Sequence, residues 1–433
     1  MLKRISTEEI KLGMFIHKLE GSWFSHPFWK RKFLLDDPDM LDALRESAVP
    51  AVIIDTARGM VPEADKAQGV PPAAALRPAA SPPHLSVVPP VPHHGFAHGA
   101  FAQSTFARPR AALPIAREFG RAKRAAGEAL KMVSRTFIEV RLGKAIKVHD
   151  VEPVLDAVYA SVQRNLYAFN GLLRCQNDSE PVYRHSLAVS ALMIALARQM
   201  KLSPLEIRDA GMAGLLMDVG VGQLPVDLKS VGGDYTLLRD DLKQQHVLLG
   251  YTFLKAAGDI PDAVLRAVLH HHERLDGSGF PQGLTAPVIE PLGRMAAICD
   301  TYDTLIAAGE ERARLDPAEA IRTLRAQPDK FDAGILERFV EAVGVYPIGS
   351  FVRLRSGRLA MVVDEDPAET ALPTVRTFWS LVQGRKVRGE TIALAHCYGE
   401  DAIEGVADLS GLDLPEIDKL RSALLAAACR EAQ

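Results

Sequence analysis

The residues best equipped for chemistry are His271 and His272. They close a run of three imidazoles, His270 to His272, directly ahead of Glu273-Arg274-Leu275-Asp276-Gly277-Ser278-Gly279-Phe280-Pro281. Imidazole is the commonest transition-metal ligand, and a histidine cluster beside acids points to a metal centre. Gly277 and Gly279 supply the backbone freedom for a tight loop next to it. The other candidate ligands are His185, Asp218, His246 and Asp300. Apart from the adjacent pair, each lies on or at the end of a different predicted helix, which suits the centre of a bundle whose helices face shared ions. Mixed His and Asp ligation fits Fe, Mn, Ni or Zn better than Ca. A carboxylate such as Asp218 can bridge two ions, and two ions about 3.5–4 Å apart can activate a hydroxide and neutralise a phosphate oxygen. His185 or His246 alone would read as an ordinary core or surface histidine; only their combination with the loop changes that reading.

The elements that must position these residues form a helical block. A helix is expected from Ile115, and a second from a cap at Asp150 with Val154, Leu155, Val158 and Val162 on one stripe. A longer helical series, Asp178 to Met200, carries His185. Ser203-Pro204-Leu205-Glu206 is a capping box with Pro at the first helical position. Its helix runs to Asp218 and is broken at Gly220 and Gly222. Helices follow at Asp240 to Ala257, Pro261 to Glu273, Glu290 to Ala308 (with Asp300 and Asp303), Asp316 to Arg325 and Ala333 to Val343. The texture then becomes alternating or β-branched at 351–354, 359–363 and 374–378, and Leu414 to Arg430 closes as a helix. Ahead of the block, strands at Gly13 to Leu19 and Ala51 to Asp55, with a short helix at Met40 to Glu46, make a small mixed domain. His26, alone between Ser25 and Pro27, reads as a packing residue. The fold class is mainly α: a helical bundle with a small α+β N-terminal domain (1–56) and a β-rich C-terminal appendage (344–433). Between them lie a Pro/Ala-rich linker (57–114), a connecting helix (115–145) and the block itself (146–343).

The chain has 433 residues, a formal net charge of -3 and four scattered cysteines without a Cys-x-x-Cys pair. This balance gives no bulk case for nucleic acid or an anionic membrane. The cysteines read as reduced thiols. No apolar run is long enough to span a membrane, and the start turns acidic without a signal-peptide core; a soluble cytoplasmic protein is expected. The linker reads as solvated, including its His84, His93, His94 and His98. The basic residues of 117–135 read as a solvated helix face, and Gly232-Gly233-Asp234 as a loop turn.

His185, the Leu215-Leu216-Met217-Asp218-Val219-Gly220 turn, His246, the His271-to-Leu284 run and Ala297-to-Asp303 together resemble an HD-GYP domain, a bacterial subclass of the HD metal-dependent phosphohydrolases. The likeness covers about Ile146 to Val343. The Gly-Met-Phe-Ile-His and Trp-Phe-Ser-His-Pro-Phe patterns near the start are similar to the small domain often found ahead of such modules. The resemblance implies an HD-type bundle that hydrolyses cyclic di-GMP with divalent metal ions. It implies metal ligands His185, Asp218, His246, His271, His272 and Asp300, with Asp218 bridging and Asp303 behind them. It makes Arg274, Asp276, Gly277, Gly279, Phe280 and Pro281 a substrate or partner loop, where Phe280 stands in the place of the name-giving Tyr. His270 is expected behind the ligands or exposed.

Two positions depart from the family turn Leu-Leu-His-Asp-Ile-Gly-Lys: Met217 replaces the His and Val221 the Lys. A thioether is a poor ligand for such ions, and Val221 cannot hold a phosphate by charge. One metal position would keep His185, Asp218 and Asp300 and be impaired. The other would keep Asp218, His246, His271 and His272, so one or two ions are expected. Pro181, where some members carry Glu, argues against a third. Two readings stay open: a phosphodiesterase with weakened activity, or an inactive module that senses cyclic di-GMP or binds a protein. A diguanylate cyclase or other signalling protein at the Gly-Phe-Pro loop, and a homodimer, are the further expected associations.

Overall fold

The structure is a computed structural model. It describes residues 2–20, 33–35, 41, 45, 51–56, 58, 115–174, 181–226, 234–307, 314–366, 369, 371–397 and 399–431, which fall into two compact units. The expectations for His26, the linker histidines, Cys175 and the Gly232-Gly233 turn lie outside the described residues.

The N-terminal unit is an antiparallel sheet of β1 (Leu2–Ser6), β2 (Phe15–Glu20), β3 (Phe33–Leu34) and β4 (Ala51–Asp55), in the order β1-β4-β2-β3. Ile5, Ile10, Met14, Ile16, Leu35, Val52 and Ile54 are buried in it.

The second unit begins with two long helices, α1 (Ile115–Arg141) and α2 (Val148–Arg174). Helix α2 starts two residues ahead of the expected Asp150 cap, because the Asp150 carboxylate reaches back to accept the Lys147 N–H at 3.0 Å. Asp150 therefore closes the first turn from within. Helix α3 (Pro181–Gln199) is buried on almost every face, as befits the central helix of a bundle. Its Ser186 and Ser190 hydroxyls donate to the carbonyl oxygens of Val182 (3.0 Å) and Gly211 (2.8 Å), which satisfies them in the core. Helix α4 (Pro204–Leu216) opens with the expected Ser203 capping box and Pro204. It lies close against α3: a Cβ on Gly214 would meet Ser190 N at 2.8 Å.

A 3-10 turn (Val219–Gln223) follows α4, and another (Tyr235–Leu237) precedes α5 (Asp240–Lys243) and α6 (Gln245–Ala257). The single helix expected at 240–257 is thus two, divided at Gln244, whose N–H closes the first turn on Asp240 O at 3.0 Å. Helix α7 (Asp262–His270) ends three residues earlier than expected, since Glu273 turns away to serve the next loop. Helices α8 (Pro291–Ile306), α9 (Pro317–Arg325) and α10 (Ala333–Val343) complete the block.

The chain then makes β5 (Phe351–Leu354), β6 (Arg358–Asp364), β7 (Thr374–Ser380), β8 (Arg385–Lys386), β9 (Thr391–Ala393) and β10 (Ile403–Val406). Their order is β10-β5-β6-β7-β8, with β9 also paired to β7. The last three short strands have no clear sequence pattern. Helix α11 (Ile417–Glu431) covers β6 and β7, and its Leu424, Leu425 and Cys429 share a core with Val352, Met361, Trp379 and Ala122 of α1. Among the described residues no helix is long and apolar enough to cross a membrane.

Candidate metal centre

The six candidate ligands converge on one buried cluster. His185 enters from the start of α3, Asp218 from the end of α4, His246 from the start of α6, His271 and His272 from just after α7, and Asp300 from α8. One backbone crossing seats α6 against the Asp218 turn. A Cβ on Gly220 would meet the His246 carbonyl oxygen at 2.0 Å and Gly250 N at 2.4 Å. Only glycine allows this approach.

Hydrogen bonding fixes how the imidazoles face. His246 Nδ1 lies against the Lys243 carbonyl oxygen, and His271 Nδ1 is 2.7 Å from that of Val268. A carbonyl oxygen only accepts, so both Nδ1 atoms carry a proton, and it is Nε2 of each ring that is left to present a lone pair to an ion. Those two Nε2 atoms are 3.3 Å apart. Asp218 Oδ1 is 3.2 Å from the first and 3.9 Å from the second. Lone pairs and a carboxylate gathered in a dry pocket repel one another unless a cation lies among them. The ligand atoms of Asp218, His246, His271 and His272 all fall within 4.8 Å of one another, a group that could hold a metal ion.

A second half of the cluster adjoins the first. His185 Nδ1 is 2.8 Å from Asp303 Oδ2, while its Nε2 is 3.1 Å from Asp300 Oδ1 and 3.4 Å from Asp218 Oδ2. Asp218 Oδ2 is buried without a hydrogen-bond partner among the described residues. His272 Nδ1, 3.5 Å from Asp300 Oδ2, joins the halves. Asp218 therefore turns one oxygen to each. Met217 and Val221 flank it, both buried, and bring no charge.

The electrostatics follow from burial and neighbours. Burial pushes the His271 imidazole down to about 4 and that of His272 well below its ordinary value, with nearby histidines adding to both. Both rings are thus neutral, as ligation requires. Burial opposes the charge on His185, but hydrogen bonds to Asp300 and Asp303 and the Asp218 carboxylate hold it well above the usual range. Burial would also raise Asp218, yet its close contact with His246 and the His185 charge bring it below the usual carboxylate range.

Beside the ligands the loop is held by groups whose roles the sequence did not announce. Glu273 is 1% exposed, and its two carboxylate oxygens accept the N–H groups of Gln282 (2.7 Å) and Leu284 (2.9 Å). Phe280 N donates to His272 O at 3.2 Å, and the Phe280 ring stacks on His272 with centroids 4.5 Å apart. Asp276 accepts from Ser278 N (2.9 Å) and Oγ (2.6 Å), at the turn where Gly277 has φ +77. Arg274 points inward: its guanidinium donates to the carbonyls of His271 and Glu273 and to Thr301 Oγ1, and lies over the Phe331 ring. It braces the loop from behind. His270 is buried, 8% exposed, so of the two places expected for it, behind the ligands or exposed, the second does not hold. Tyr235 is the other residue the sequence did not single out. Its hydroxyl donates to Asp218 Oδ1 at 2.9 Å, and its ring meets His246 edge-on at 5.2 Å. It sits 17 residues beyond Asp218, in a stretch without helical periodicity, so spacing carried no signal.

Residues 172–335 match the family model described as HD domain, and residues 2–151 match the one described as Domain of unknown function (DUF3391). The chain is similar to the cyclic di-GMP phosphodiesterase PA4108 of Pseudomonas aeruginosa, with 35% identity over 98% of this chain and 96% of that protein. It is also similar to the cyclic di-GMP phosphodiesterase PdeB of Borreliella burgdorferi (23% identity over 44% of this chain and 50% of that one). The cyclic di-GMP phosphodiesterase response regulator RpfG of Xanthomonas campestris pv. campestris matches at 33% identity over 30% of this chain and 35% of that protein. A helical block that gathers histidines and aspartates from five segments is the HD-type arrangement, and the chain belongs to the HD-domain family, in its HD-GYP class.

Proposed function

We propose that the chain is a metal-dependent phosphodiesterase that hydrolyses cyclic di-GMP. The observation that carries this reading is the pair of imidazole lone pairs 3.3 Å apart beside the Asp218 carboxylate, an arrangement that calls for a cation. Asp218, His246, His271 and His272 would hold one divalent ion of the Fe, Mn, Ni or Zn type; His185, Asp218 and Asp300 offer a second, poorer position because Met217 contributes nothing. Ions bound there supply Lewis acidity: they draw charge from a phosphodiester oxygen and acidify water. The chain's own residues do the rest. Lys243 and Val268 carbonyls orient His246 and His271. Asp303 holds a proton on His185 Nδ1. Glu273 and Arg274 hold the loop that walls the cluster, and Phe280 stacks its ring on His272.

Val221 leaves the turn without a cation for the substrate phosphate. Together with Met217 this should lower turnover by roughly 10²–10⁴-fold relative to a chain carrying His and Lys there. The retained ligand set and the named activity of the relatives favour hydrolysis over sensing without turnover. The cytoplasm, a homodimer, a protein partner at the Gly-Phe-Pro loop and the five-part division of the chain belong to the same proposal.

The test is metal content and cyclic di-GMP turnover of the wild type beside Met217→His/Val221→Lys. The expected result is a metal-loaded, slow wild type and a double variant faster by the factor above. A metal-loaded wild type that binds cyclic di-GMP and never cleaves it would overturn the proposal in favour of a sensor.

A further inference from the structure

We infer that Tyr235 is a positioning residue for the metal centre, acting through Asp218 and not through the substrate. This rests on the metallophosphodiesterase reading and assigns a role that the ligand set does not contain. The phenol is buried, and its hydroxyl lies 2.9 Å from Asp218 Oδ1. That oxygen is the one that faces His246 and His271, at 3.2 and 3.9 Å. The opposite oxygen, Oδ2, faces His185 and is buried without a hydrogen-bond partner among the described residues.

Tyr235 is the one neutral hydroxyl seen to donate to this carboxylate among the described residues. A carboxylate oxygen has more than one lone pair, so Oδ1 can accept from the phenol and still ligate an ion. A hydrogen bond from behind fixes the rotation of the carboxylate and spreads its charge toward the protein. The ring does a second task. Its edge-on contact with His246, centroids 5.2 Å apart, holds the imidazole that shares the ion with Oδ1. Tyr235 thereby braces two of the four grouped ligands from one side chain.

The need for such a brace is specific to this turn. With Met217 and Val221 beside Asp218, the neighbouring chain offers the carboxylate neither a cation nor a polar side chain. Nor can the Gly220 contact do it, since that fixes backbone and not the carboxylate rotation. The expected consequence is an asymmetric centre. The Asp218/His246/His271/His272 position is braced by Tyr235 at two ligands, and the His185/Asp218/Asp300 position only through the shared carboxylate.

The experiment is Mn2+ titration of the metal-stripped full chain by calorimetry, for wild type, Tyr235→Phe and Tyr235→Leu. In parallel, the Mn2+-induced rise in melting temperature is measured against each protein's own metal-free form, so that general destabilisation cancels. Loss of an outer partner of a ligand typically weakens metal binding by about 10–100-fold. The expected result is a fall of that size in the tighter binding step for Tyr235→Phe, with a smaller fall in the weaker step, and at least as large a fall for Tyr235→Leu. If Tyr235→Phe binds within twofold of wild type while the wild type binds normally, the inference fails and the phosphodiesterase reading stands. If Tyr235→Phe is normal and only Tyr235→Leu is weak, the ring acts and the hydroxyl does not, which also overturns it. A wild type that takes up no Mn2+, Fe2+, Ni2+ or Zn2+ ends both readings together.

Discussion

Gly220→Ala should disable the centre without touching a ligand. The new Cβ would stand 2.0 Å from the His246 carbonyl oxygen, 2.4 Å from Gly250 N and 2.9 Å from Gly250 Cα. All three are backbone atoms, so no side-chain rotation relieves the clash. Non-bonded atoms settle about 3.5 Å apart or more, so α6 must retreat from the Asp218 turn by upwards of about 1 Å. Metal–ligand distances tolerate only about 0.2 Å. His246, carried on the start of α6, therefore leaves its position beside Asp218. Overpacking of this kind typically costs about 1–3 kcal/mol of stability, a melting temperature lower by several degrees. The metal affinity should fall by more than the roughly 10–100-fold seen when only an outer partner is removed. Gly250→Ala is the control. Its Cβ would meet Gly220 N at 3.1 Å and Cα at 3.4 Å, which a shift of a few tenths of an ångström accommodates. Calorimetric Mn2+ binding and thermal melts of the two variants check this. Equal damage from both, or a Gly220→Ala protein that binds metal like the wild type, would refute the idea that this crossing sets the His246–Asp218 distance.

Two further outcomes are expected. Burial pushes the Asp209 carboxyl up to about 6, from 3.8 when unfolded. The folded chain then holds that proton more tightly, so the contribution to stability is full below about 4 and lost as pH rises through about 6. A difference of about two in pKa is worth up to roughly 3 kcal/mol. Asp209→Asn should accordingly flatten the pH 4–7 dependence of urea unfolding and be relatively more stable above pH 7; an unchanged profile would dispose of this. Glu273→Gln keeps one carbonyl oxygen for the N–H groups of Gln282 and Leu284 and turns a donor toward the other. A buried unmade bond costs about 1–3 kcal/mol. Amide exchange at those two residues should quicken while the far-ultraviolet circular dichroism stays the same; unaltered exchange would mean that the loop is held by other contacts.

Most helices were legible because their signals are local. The Ser203 box with Pro204 and the apolar stripes each act within a turn or two. What escaped was set by competition between neighbouring groups. Asp150 looked like a cap but closes the first turn from inside. Residues 240–257 have one helical stripe but break at Gln244, and the short β8, β9 and β10 owe their pairing to the strands beside them. Periodicity does not encode such choices.

The candidate ligands were named for a different reason: metal chemistry restricts the residue types, and the His-rich run with its Gly loop, set against the HD-GYP pattern, picked out the positions. Their orientation was not legible. The Lys243 and Val268 carbonyls that turn His246 and His271 are backbone atoms, and any residue could have supplied them. Tyr235 and Glu273 act through contacts with partners that spacing alone did not mark. This division bears on Met217 and Val221. Met217 and Val221 stand where the HD-GYP turn carries a His and a Lys, a difference of side-chain type that is visible in the sequence. Among the features that hold Asp218 in place are the Gly220 crossing, the Tyr235 hydroxyl and the carbonyl-oriented imidazoles, and none of them uses the side chain at 217 or 221; the Val221 N–H that closes on Asp218 O at 2.9 Å is backbone. The scaffold of the four-residue group therefore does not depend on the side chains at 217 and 221. This is the physical reason to expect one well-formed metal position beside an impaired one, and not the collapse of both.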